Sequence, residues 1–119
     1  MDNKSKCFRD LLVWQKMHKI VLEIYKISEK FPKTEIFGIT NQIRRSSVSV
    51  AANIVEGFSK KSKLDKCRFF NIAQGSLEET HYFLILIQDL NYYNTCELLK
   101  KVDEVGKMLE GYIKAINLS

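Results

Sequence analysis

Apolar residues recur along this chain at steps of three and four, the period of an amphipathic helix, and they do so in four blocks. In the first block Trp14, Met17, Val21, Ile24, Tyr25 and Ser28 share one face, while Lys16, Lys19, Glu23 and Lys26 fall opposite. Asp10 is a good N-cap type, so the first helix is expected to start after it. Residues 1–9 are polar and basic and read as a flexible arm, leaving residues 10–119 as a single domain. Phe31-Pro32 ends the first helix, because a residue before proline is pushed out of the helical region.

The second block runs from about Glu35 or Gly38 to Glu56, with Gly57 as the expected C-cap. Ile39, Ile43, Val50 and Ile54 form one apolar face. Gln42, Arg45, Ser49, Asn53 and Glu56 form a polar stripe about 80° wide by helical spacing. Val48, Ala51 and Val55 make a second, smaller apolar strip beside Arg44. A helix that is apolar on two sides is usually covered on both, so this strip is the candidate subunit interface.

Ser62-Lys63-Leu64-Asp65 has the form of a capping box and opens the third helix, expected to reach Asp89 or Leu90. Its core face is read as Phe69, Ile72, Ala73, Ser76, Phe83, Ile87 and Leu90, widened by Phe70, Leu77 and Leu84. Asn94 and Glu97 are a second capping pair. In the last helix Leu98, Val102, Val105, Leu109, Tyr112 and Ile116 keep the narrow repeat of antiparallel bundles. Short connections make sequence neighbours antiparallel, so the fold class is all-α, an up-down-up-down four-helix bundle.

Composition agrees with this and names no function. The 119 residues are 45% hydrophobic and 28% charged, with one proline and five glycines, which argues against a many-turned β fold and against disorder. The longest uncharged stretch, residues 46–55, is half the length of a membrane span of about 20 residues. Cys7, Cys67 and Cys96 are odd in number and widely spaced. With no zinc-type spacing and no secretory signal pattern, the expectation is free thiols in the cytoplasm, with no metal and no membrane partner.

Enzyme signatures are absent from the sequence. His18 and His81 have no second ligand one turn away, and there is no glycine-rich phosphate loop, nucleophile elbow or paired-histidine zinc motif. Gly75-Ser76 lies mid-helix, where a small pair serves close packing. Glu78 and Glu79 point about 100° apart, so they cannot share a proton. The expectation is therefore no enzyme, no catalytic residue and no cofactor. Glu79 lies at the margin of the read core face, and a buried carboxylate needs a partner. A structural polar network of Gln42, Arg45, Asn53, Glu56 and Glu79 would supply one, and removing Glu79 would then destabilise the fold.

Charge changes the picture. The net charge is +5, but it is unevenly distributed: residues 1–68 carry 15 basic and 7 acidic side chains, residues 69–119 carry 4 and 7. The densest spot is Lys60, Lys61, Lys63, Lys66 and Arg68, opposed only by Asp65. Cations on a rigid helix end can meet phosphates and release counterions. No aromatic residue alternates with them as a base-stacking platform would require; Phe69 and Phe70 follow directly, at angles suited to burial. Arg44 is a further candidate phosphate contact.

Four segments carry a family resemblance: Leu12-Val13-Trp14-Gln15-Lys16, Phe31-Pro32, the unbroken run from Gln42 to Gly57, and Ala73-Gln74-Gly75-Ser76-Leu77-Glu78-Glu79. Together they resemble the bacterial four-helix bundle proteins encoded within intervening sequences of 23S rRNA genes. The likeness runs from about Phe8 to Leu90. Gln74 stands where the family commonly has Arg, and Ser46 where it usually has Ala. The resemblance implies a ring-like homopentamer without enzymatic activity. The accessory variability determinant of diversity-generating retroelements, a similar protein, uses such a basic pentamer to bind nucleic acid and a reverse transcriptase.

Two functional readings follow. In the first, a homo-oligomer binds RNA or DNA through phosphate contacts from Lys60, Lys61, Lys63, Lys66, Arg68 and Arg44. In the second, the oligomer is a scaffold that presents a surface to another protein, and the basic end has no nucleic-acid role.

Overall fold

The structure is a computed structural model that describes residues 6–119. Four helices, α1 (Leu12–Ser28), α2 (Ile39–Ser59), α3 (Lys63–Asp89) and α4 (Cys96–Leu118), account for most of it, and no strand occurs among the described residues. Each helix packs on the two beside it, and α2 with α3 is the most extensive contact. Cross-helix pairs fix the directions. Ser46 meets Thr80 and Ser49 meets Ser76, His81 meets Asp103 and Cys67 meets Asn117, and Lys16 meets Glu104 while Lys101 meets Glu23. In each set the numbers run in opposite senses, so the chain is an antiparallel four-helix bundle, 46 Å long. At 1.5 Å per residue the 27 residues of α3 span about 40 Å and set that length.

The core is aliphatic. Val13, Met17, Ile24, Ile43, Val50, Ile54, Leu84, Ile87, Val105 and Leu109 are completely sealed from solvent. The apolar face read on α2 and the repeat read on α4 are both buried, apart from half-buried Tyr112. On α3 the face is rotated from the expected one. Phe70, Ala73, Leu77, Thr80, Leu84 and Ile87 are buried, whereas Ile72 and Leu90 are exposed. α3 has neighbours on both flanks, so the true centre of its arc is the set first read as widening it.

The ends differ from expectation in instructive ways. Asp10 does not cap α1; its carboxylate accepts from the Lys6 and Cys7 amides, and Phe8–Asp10 forms a short 3₁₀ turn. Phe8 packs edge-on against Trp14 with ring centroids 5.0 Å apart, so packed structure begins at Phe8 rather than Asp10. The remainder of the expected arm, residues 1–5, lies outside the described residues. Gly57 is not a C-cap: it is buried inside α2, and a Cβ there would sit 2.6 Å from the Phe70 ring. Glycine is needed for that close approach, and the helix continues to Ser59.

Two polar devices lock the turns. Glu35 accepts from the Ile39 amide at the start of α2 and from the Tyr92 hydroxyl, at 2.8 Å, in the α3–α4 turn. This hydrogen bond holds the Tyr92 phenol above its ordinary pKa, with desolvation and then the Glu35 charge adding to the shift. Thr95, fully buried, donates to the Leu84 carbonyl. Asn91 takes the left-handed conformation (φ 61°) that Asn tolerates better than most residues. At the start of α3 the expected cap is present: the Ser62 hydroxyl accepts from the Asp65 amide at 3.1 Å.

Candidate nucleic-acid interface

The turn between α2 and α3 carries the densest positive charge, and its geometry sorts the five cations into three roles. Lys66 points inward. Its ammonium donates to the Phe58 carbonyl at 2.9 Å and to the Gly57 carbonyl at 3.4 Å, over the Phe58 ring. These are last-turn carbonyls of α2, at the negative end of the dipole, and the Gly57 carbonyl also accepts from the Lys60 amide. Lys66 thus clasps a helix end, and desolvation lowers its pKa from the ordinary 10.5.

Lys60 and Arg68 stay at the surface but have acidic partners, Glu56 at 3.7 Å and Asp65 at 3.6 Å. Exposed pairs of this kind are weak and exchange readily with a phosphate. Lys61 and Lys63 are exposed and have no partner among the described residues. The sequence reading missed Phe69. Only Phe70 is buried in the core; Phe69 lies half-exposed between Lys60, 5.0 Å from its ring centroid, and Arg68, at 5.3 Å. The basic end therefore contains the half-exposed Phe69 ring besides the Phe58 ring under Lys66, and Leu64 in the first turn of α3 is 81% exposed.

Arg44 belongs to another part of the molecule. It stacks on Tyr25 at 4.8 Å, and its Nε donates to the Ser28 hydroxyl at 2.8 Å, where it closes the end of α1. Lys60 lies sixteen residue steps further along the chain, about 24 Å along the axis. Arg44 would meet a different phosphate from those at the basic turn.

The expected polar network is not built within the chain. Gln42, Arg45, Glu56 and Glu79 are all exposed, and Arg45 and Glu79 form no ion pair among the described residues. Glu56 turns to Lys60, and Asn53 donates to the Ser49 carbonyl one turn back. Hydroxyls take the network's place: Ser46 to Thr80 at 2.9 Å, both buried, and Ser49 to Ser76 at 2.8 Å. Short side chains let α2 and α3 approach closely, and the longer charged ones are displaced to the rim.

The model of one protein family, described as 23S rRNA-intervening sequence protein, matches residues 9–111, from the first packed turn to late in α4. The chain belongs to the 23S rRNA-intervening sequence protein family. A solved structure agrees: a protein of unknown function from the S23 ribosomal protein family of Bacteroides thetaiotaomicron VPI-5482 superposes with a TM-score of 0.80. That protein is 27% identical, over 87% of this chain and 96% of its own. No curated relative matches. The family match spans every residue of the basic turn and of the α2–α3 contact.

Other features of this family member are chemically plainer. Val48 is 41% exposed, while Ala51 and Val55 are half-buried, with Ala51 against the core. His81 Nε2 lies 3.3 Å from Asp103 in a cleft of about 500 Å³ between α3 and α4, lined by Glu78, Lys107 and Glu110 and by no serine, threonine or cysteine. No group of three metal-ligating side chains occurs among the described residues, and no helix there is long and apolar enough to cross a membrane.

Proposed function

We propose that this chain is a non-enzymatic, self-assembling helical bundle whose α2–α3 turn binds RNA or DNA through phosphate contacts. The observation that carries the reading is the pair of unpartnered, exposed lysines, Lys61 and Lys63, beside the Lys60–Phe69–Arg68 cluster on a rigid helix end. A single such site is weak. A ring of copies, as in the pentamers of similar proteins, multiplies it without new contacts. The exposed Val48, with Ala51 and Val55 behind it, is one apolar strip available to a neighbour. Three free cysteines support a reducing compartment.

Reversing Lys61 and Lys63 to Glu tests the site: binding of RNA and duplex DNA should fall sharply while the fold is kept. Light scattering reads the stoichiometry independently. A scaffold role has its own support in Phe37, 92% exposed beside Ile36 in the α1–α2 connection, an apolar tip suited to another protein. Unchanged nucleic-acid binding by the reversed variant would favour that reading.

A further inference from the structure

We propose that the cavity between the end of α1, the α1–α2 connection and the first turns of α2 binds an acidic, apolar peptide segment of a partner protein, its carboxylate held by Arg44, Lys33 and Thr40. The proposal is independent of nucleic-acid binding at the α2–α3 turn and of assembly.

The connection builds the cavity. Pro32 stops α1, a 3₁₀ turn spans Lys33–Glu35, and α2 begins at Ile39. Glu35 ties that turn to the Ile39 amide and to the Tyr92 hydroxyl, so its shape is set before a ligand arrives. The space is about 440 Å³, within the range of pockets that hold small ligands or side chains. Phe31, Pro32 and Ile36 give it apolar walls.

Its polar groups have capacity to spare. Thr40 is 5% exposed, and its hydroxyl makes no hydrogen bond among the described residues. Every completely sealed side-chain oxygen or nitrogen among those residues has a partner. The Thr40 hydroxyl therefore keeps an opening, and that opening is the cavity it lines. A nearly buried hydroxyl left without a partner is costly unless something comes to meet it. Arg44 lies one turn further along α2, on the same face. Its Nε donates to Ser28 and its Nη2 to the Tyr25 carbonyl, which uses two of five N–H groups and leaves three. These bonds and the Tyr25 ring fix the guanidinium plane. Lys33 adds an exposed ammonium with no acidic partner among the described residues.

The charges select the ligand. Two cations line the cavity against one carboxylate, Glu29, which has no cationic partner among the described residues. A nucleic-acid strand brings a phosphate with every nucleotide, and the neighbours of a bound one would meet Glu29. A peptide brings a single carboxylate, and its backbone N–H groups can donate to Glu29. The apolar surface also continues past the mouth, with Ile36 54% and Phe37 92% exposed. Apolar side chains flanking the carboxylate would bury that area, which a free small acid leaves open.

Binding to the full chain is read by amide NMR, from the Gly38 and Thr40 signals, with three probes. These are acetyl-Leu-Glu-Phe-amide, the same peptide with Gln in place of Glu, and uridine monophosphate. The Glu peptide should shift both signals, the Gln peptide should bind at least about tenfold more weakly, and the nucleotide should bind more weakly than the Glu peptide. Thr40→Val should weaken the Glu peptide about threefold or more without lowering the melting temperature, because the hydroxyl it removes has no partner within the chain. A purely structural Thr40 would change stability and not affinity. Arg44→Gln should weaken the peptide further, and Lys33→Gln, at an exposed position, gives the same charge test should the arginine variant fail to fold. The Lys61→Glu, Lys63→Glu double variant should keep peptide binding in full. No shift with the Glu peptide, equal binding of the two peptides, or unchanged affinity in the Thr40 and Lys33 variants overturns the proposal. Stronger binding of the nucleotide overturns it in favour of a second phosphate site. Loss of peptide binding in the lysine double variant overturns it as well, and places the peptide at the basic turn.

Discussion

The Lys66 ammonium donates to the Phe58 carbonyl at 2.9 Å, across the end of α2. A cation that sequence alone assigns to a polyanion is spent inside the molecule. Replacing Lys66 by Met should cost about 1 kcal/mol, as for an ordinary hydrogen bond partly screened by solvent. A melting-temperature drop of about 4 °C is the expected reading. RNA affinity should barely move, and a large loss of affinity with an unchanged melting temperature would reassign Lys66 to the interface.

Gly57 is packed under Phe70, with no room for a Cβ at 2.6 Å from the ring. Gly57→Ala should destabilise the fold by about 1–3 kcal/mol, the usual cost of overpacking a core. Adding Phe70→Leu, which removes the obstructing edge, should recover part of that loss relative to Phe70→Leu alone. Chemical denaturation of the four proteins measures the coupling directly.

The Ser46–Thr80 hydroxyl pair, and not a carboxylate network, holds the register of α2 on α3. Thr80→Val should cost about 1 kcal/mol, since it removes a buried hydroxyl whose partners remain. Glu79→Ala, by contrast, should leave the unfolding free energy of dilute, monomeric protein within about 0.5 kcal/mol of wild type, as for other exposed positions.

Tyr92 supplies a pH signature. Its hydrogen bond to Glu35 raises the phenol pKa in the folded protein above the ordinary 10.0. The neutral form is therefore favoured by folding. Its contribution is complete below the unfolded value and is lost as pH rises through the folded one. Tyr92→Phe should show a shallower alkaline decline in denaturation midpoint than wild type as pH rises above the ordinary phenol value of 10.0. Equal declines would mean that another group governs that limb.

Most of the fold was legible because it depends on periodicity. The α2 face of Ile39, Ile43, Val50 and Ile54, the α4 repeat and the Ser62 cap all follow from residue spacing and short-range hydrogen bonding. The α3 phase was not legible, because a helix with two flanking neighbours has an apolar arc too wide to show its centre. The candidate site was legible as composition but not as geometry. Charge counting found the basic turn, but nothing local distinguishes Lys66, folded onto a helix end, from Lys63, which faces water. Phe69 and Phe70 differ by one step in sequence, and only the packing against Gly57 decides which of them is buried.

Affinity for RNA and for duplex DNA as a function of salt, in wild type and in the Lys61→Glu, Lys63→Glu double variant, tests the phosphate-binding claim most directly. With two phosphates met per chain, wild-type duplex affinity should fall about tenfold per bound chain between about 50 and about 200 mM salt, and the double variant should lose both the affinity and the slope. No binding at low salt, or binding that the double reversal leaves intact, would contradict the account.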